Sequence, residues 1–98
     1  MTINEIRLQL QNATNPVAKA LHKNDHFKVL VMGFKKGMVL KEHQAHVPTK
    51  ITVLEGKVAY NDVDTNTILN QYDEFEIPVN KKHSVSALED SLCLLTQG

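Results

Sequence analysis

His43 and His46 lie six and nine residues beyond Gly37 in the stretch GMVLKEHQAHVPTKITVLEG, and His83 follows Pro78 at the head of HSVSAL. Imidazole is the side chain most often used to hold a transition metal or to move a proton near neutral pH. Each histidine site opens onto an alternating apolar run, so the spacing predicts strands that bring His43 and His83 to one pocket.

Other residues capable of chemistry have simpler roles. Cys93 sits in SLCLLT, apolar enough to be a buried strand in which a thiol is a small hydrophobe. Tyr60 and Tyr72 flank turns, where a ring covers a barrel end and its hydroxyl stays wet. Glu74 and Glu76 alternate with Phe75 and Ile77, as on a half-exposed strand. His22 and His26 bracket a hairpin turn at the surface. No nucleophile elbow, phosphate-binding glycine loop or cysteine-rich zinc set is present.

The elements that must position the histidines are strands. Residues 1–16 read as an amino-terminal arm: Thr2 and Glu5 have the spacing of a capping box, and Ile3, Ile6 and Leu10 share a helical face, but Ile6, Leu8 and Leu10 also alternate as a strand would. The cluster NATNP ends it. From Val17 the period is two. VAKALH, HFKVLVMGF, MVLKEH, ITVLEG, KVAYND, TNTILN, EFEIP, HSVSAL and SLCLL follow, each bounded by Gly, Asn, Asp, Pro or Ser. Many short strands with regular turns predict an all-β fold, a small jelly-roll barrel or sandwich over residues 17–98.

Composition sets the limits. A chain of 98 residues with 42% hydrophobic content supports one domain, 1–98, with a modest core. Eleven basic residues balance eleven acidic ones, so no net field draws in nucleic acid or anionic membrane. One cysteine makes no internal disulfide, no secretory signal pattern opens the chain, and no apolar run is long enough to cross a bilayer; a cytoplasmic protein is expected.

Gly37, five residues, His43 and a strand ending at Val53–Gly56 resemble the first motif of the cupin superfamily, G-x5-H-x-H-x3-E-x6-G; Asp73, Pro78, Asn80 and His83 resemble the second, G-x5-P-x-G-x2-H-x3-N. The chain is similar to small single-domain cupins, with a degenerate metal motif. That resemblance implies a jelly-roll barrel, dimerisation and, in many members, one metal held by three histidines and a glutamate. Here Thr49 stands at the glutamate position and Ala45 at the second histidine, while Tyr72, Asn80 and Ala87 replace the downstream glycines and asparagine. His46 could substitute. On a regular strand it would face away from His43, but Val47-Pro48 follows, and a bulge there would turn it inward. His43, His46 and His83 would then offer three nitrogens and an open position to zinc, iron, nickel or copper.

Strand parity outlines the pocket. Thr49, Ile51 and Val53 follow His43 into the lumen, and Val85 and Ala87 follow His83; Leu54, Val58 and Leu88 face outward, where a second sheet or subunit would cover them. An apolar lumen with few polar groups suits a small organic ligand. Two functions remain open: a binding or sensing module that holds such a ligand, or a metal-dependent enzyme of dioxygenase or isomerase type. In either, a homodimer is expected, with the amino-terminal arm crossing between subunits.

Overall fold

A computed structural model describes residues 1–98 and shows why the alternating runs pair as they do. The order is α1 (Thr2–Leu10), β1 (Val17–Lys23), β2 (Lys28–Phe34), β3 (Val39–His43), β4 (Thr49–Glu55), β5 (Val58–Asp62), β6 (Asn66–Leu69), β7 (Glu74–Ile77), β8 (His83–Ala87) and β9 (Ser91–Gln97). Two antiparallel sheets form, ordered β1-β2-β9-β4-β7 and β3-β8-β5-β6. This is a jelly-roll with one short amino-terminal helix.

Register explains the core. In the five-stranded sheet Leu30, Leu95, Ile51 and Phe75 fall in one cross-strand row, and Met32, Cys93 and Val53 in the next. With the period of two, both rows face the second sheet. They meet Val58, Tyr60, Leu69, Val85 and Ala87 in one buried cluster. Cys93 is the core thiol the sequence predicts, fully buried, and burial pushes it up to about 12.

The outer face of the larger sheet carries α1. Ile6 packs on Val31 and Leu92, with Ile3, Leu10, Val17, Leu54 and Leu94 around them. The helix sits so close over β2 that a Cβ on Gly33 would lie 2.5 Å from Ile6 Cγ2 and 2.6 Å from Leu10 Cδ1. Helix is therefore the outcome for the amino-terminal arm, and Leu8, which favours the strand pattern, is 63% exposed. The capping box does not form: Met1 is the N-cap, and Glu5 pairs instead with the terminal amine and with Lys19 Nζ at 2.7 Å. The arm docks on its own sheet.

Gly56 turns the chain from β4 into β5. Its φ is +87°, and an added Cβ would fall 2.3 Å from the Asp90 carbonyl and the Ser91 hydroxyl, so only glycine fits. Past this bend the facing is reset. Val58, expected outside, and Tyr60, expected at a wet barrel end, both point into the core. No helix is long and apolar enough to cross a membrane.

Candidate functional site

His43 ends β3 and His83 begins β8, and the two are paired directly across the ladder. Their rings touch, with centroids 4.3 Å apart and planes tilted by 57°. His83 is 2% exposed and forms the floor, whereas His43 stands at the solvent-facing rim. Tyr60 lies on the inner side of His83 in a stacked arrangement, centroids 5.4 Å apart.

Hydrogen bonds fix the tautomers. His43 Nδ1 lies 2.9 Å from the Lys41 carbonyl, and His83 Nδ1 lies 3.1 Å from the Lys81 carbonyl. A carbonyl only accepts, so in each neutral ring Nδ1 carries the proton and Nε2 keeps its lone pair. No protein group bonds to either Nε2. Burial holds the His83 imidazole below its ordinary value, against the opposing effect of the Lys81 carbonyl; the neighbouring His43 lowers it further and Asp62 raises it.

Asp62 anchors this end of the barrel. Its carboxylate has no solvent exposure, accepts the Tyr60 hydroxyl at 2.6 Å and the Asp64 and Thr65 amides at 2.8 and 2.9 Å, and has Lys81 Nζ at 3.9 Å. The Tyr60 hydroxyl bond, chief among these, holds the carboxyl below its usual range. Tyr60 is correspondingly raised, by burial first and then by the Asp62 bond. Its role in this network was not visible from sequence because its facing depends on the Gly56 bend.

The lumen beside the histidines is lined by His43, Thr49, Ile51, His83 and Val85, as parity predicts, with Gln44, Ala45 and Gln97 at the polar end. Val53 lies deeper, in the packed core, away from the cavity. The cavity is small. About 50 Å³ is left between Met32, Phe34, Leu40, Ile77 and Leu95, against about 300 Å³ or more for a typical small-molecule pocket. Thr49 has no free proton: its hydroxyl donates to the Val47 carbonyl at 3.0 Å and accepts weakly from Gln97 Nε2 at 3.5 Å.

His46 does not join the pair. It lies in the loop between β3 and β4, exposed, with Nδ1 2.9 Å from Asn80 Oδ1. The irregularity in β3 falls between Leu40 and His43, before the histidines, so it does not bring His46 round. The loop 44–48 leaves the strand altogether, and the Asn80 amide bonds the Ala45 carbonyl at 2.8 Å, which holds the loop against the 78–82 turn. No three histidine, cysteine or carboxylate side chains converge anywhere in the chain. Two imidazoles do not amount to the three-nitrogen centre that an inward-turned His46 would have completed, and no chemistry through a metal is derived from them.

No protein-family profile matches the sequence, and no protein of curated function does. Solved structures match closely in shape. A cupin superfamily protein from Desulfitobacterium hafniense superposes with a TM-score of 0.80 at 19% identity, over 88% of this chain and 79% of its own. An RmlC-like cupin from Desulfovibrio desulfuricans gives 0.76 at 26% identity, over 84% and 80%. A protein of unknown function from Streptococcus pyogenes gives 0.77 at 17% identity, over 85% and 73%. By architecture, a two-sheet jelly-roll with paired histidines at one end, the chain has the fold of the cupin superfamily.

Proposed function

We propose that this protein is a small-molecule binding or sensing cupin whose ligand inserts a polar head at the His43/His83 end of the barrel. One observation carries the reading: two touching imidazoles, each with Nδ1 engaged by a backbone carbonyl and neither with a protein partner at Nε2, line a small lumen whose other walls are mostly apolar, with Thr49, Gln44 and Gln97 as the polar exceptions. A ring nitrogen with a lone pair and no protein partner is open to a ligand that donates to it. With about 50 Å³ inside, only the end of a ligand enters, and its body stays at the mouth beside Gln44 and Ala45.

Dimerisation belongs to the same proposal. Phe27, Val47 and Val79 are exposed, and Phe27 and Val79 flank an open groove of about 720 Å³ on the outer side of the larger sheet, where a second copy would cover apolar area.

The test is a fragment screen read by amide and imidazole chemical shifts, repeated on His43→Ala. Saturable shifts around Thr49, Ile51, His83 and Val85 that vanish in the variant support the reading. A near-stoichiometric transition metal in protein purified without chelator or tag, lost in the His43→Ala/His83→Ala double variant, would instead move the assignment to a metal-dependent enzyme of dioxygenase or isomerase type.

A further inference from the structure

The identity of the atoms facing the lumen restricts what its ligand can be. Both histidines present Nε2 as an acceptor, because the carbonyls of Lys41 and Lys81 hold the proton on Nδ1. Thr49 Oγ1 donates to Val47, so toward the lumen it too can only accept. Among the lining residues there is no lysine and no arginine. The N–H donors at the rim are the neutral amides of Gln44 and Gln97, and that of Gln97 is turned toward Thr49. Asp62 pairs in register with His83, and its side chain has no solvent exposure. Lys81 is held by Asp62 and Asp64 and lines an outer hollow with Glu42 and Lys82, not this lumen.

We infer that this lumen selects its ligand by hydrogen-bond donors, taking an O–H or N–H head group such as a primary alcohol or an ammonium, and turns away carboxylates and phosphates. An alcohol places one proton between two acceptors, and an ammonium places several. A carboxylate offers only acceptors to acceptors and has no cation to compensate for its loss of water. The cavity volume of about 50 Å³ agrees with a head of this size, since one water occupies about 30 Å³ in the liquid. This inference rests on the proposal that the lumen binds a small molecule.

The experiment uses the whole chain, nitrogen-15 labelled, at pH 7.5 and constant ionic strength. Long-range proton–nitrogen correlations first identify the tautomers of His43 and His83, and the protein is then titrated separately with ethanol, ethylammonium chloride and sodium acetate. The expected result is an unprotonated Nε2 in both rings, with saturable shifts from ethanol or ethylammonium at concentrations at least about tenfold lower than any from acetate. His43→Phe, a rim substitution that leaves the core intact, should abolish the saturation. Acetate binding more tightly than the donors, or a proton on either Nε2, overturns the donor selection while leaving a binding lumen in place. Saturation by none of the three overturns the binding reading, and this inference with it.

Discussion

His46 reaches Asn80: its Nδ1 lies 2.9 Å from the asparagine Oδ1, on the outside of the barrel mouth. The histidine that would complete a three-nitrogen centre is thereby held by a residue in the left-handed region, Asn80 at φ 61°, on the turn that leads to His83. The same contact that removes His46 from the lumen ties together the two loops above it.

It follows that His46→Ala should leave metal uptake unchanged. The protein purified without chelator, then offered zinc, iron, nickel or copper and desalted, should retain well below one equivalent whether or not His46 is present. Elemental analysis checks this, and one equivalent lost on His46→Ala would mean that the loop carries the imidazole inward.

Gly33→Ala should destabilise the fold by about 1–3 kcal/mol, because the new methyl meets Ile6 and Leu10 inside van der Waals distance and the helix must shift. Urea unfolding read by circular dichroism gives the value. Leu10→Ala in the same background should recover part of the loss by opening space.

Tyr72→Gly should stabilise the protein by about 1 kcal/mol. Tyr72 holds φ 71° while its ring is 75% exposed, so the substitution relieves backbone strain and gives up little burial. A midpoint below that of the parent chain would show that the ring contributes more than its exposure implies.

Acid stability should carry the signature of His83. Its folded value lies below the ordinary 6.5, so the unfolded chain takes up the proton more readily. Stability from this group is therefore full above about pH 6.5 and falls as pH drops from there toward the folded value. His83→Gln should flatten the loss of denaturation midpoint between about pH 7 and 5. Asp62 contributes with its own loss at lower pH, through its depressed carboxyl range, so the two windows separate.

Cys93 should be unreactive in the folded protein. Full burial and a thiol pushed up to about 12 leave almost no thiolate at pH 7.5. A chromogenic disulfide reagent should react at the rate of unfolding, and a fast stoichiometric reaction would require an opening of β9 that leaves the rest folded.

The sequence made the strands legible because each run keeps a period of two between turn residues. Parity carried correctly within a strand: Thr49, Ile51 and Val53 face inward together, and so do His83, Val85 and Ala87. It fails across Gly56, where a left-handed residue resets which side is in: Val58, which parity places outward, and Tyr60, which the turn places at a wet barrel end, both lie in the core. The helix was ambiguous because Ile6 and Leu10 satisfy both periods; contact with Gly33, distant in sequence, decides it. His46 was out of reach for a related reason. Its partner Asn80 lies in a different loop, and no local pattern links them.

The strand order also bears on synthesis. β9, the last of the barrel's nine strands in chain order, occupies the centre of the larger sheet, between β2 and β4. Until it emerges, the β1–β2 hairpin and the β4–β7 pair have no common neighbour and each presents a bare edge. The barrel therefore closes only when β9 inserts, and a nascent chain that has not yet released β9 keeps its central seam open to other chains.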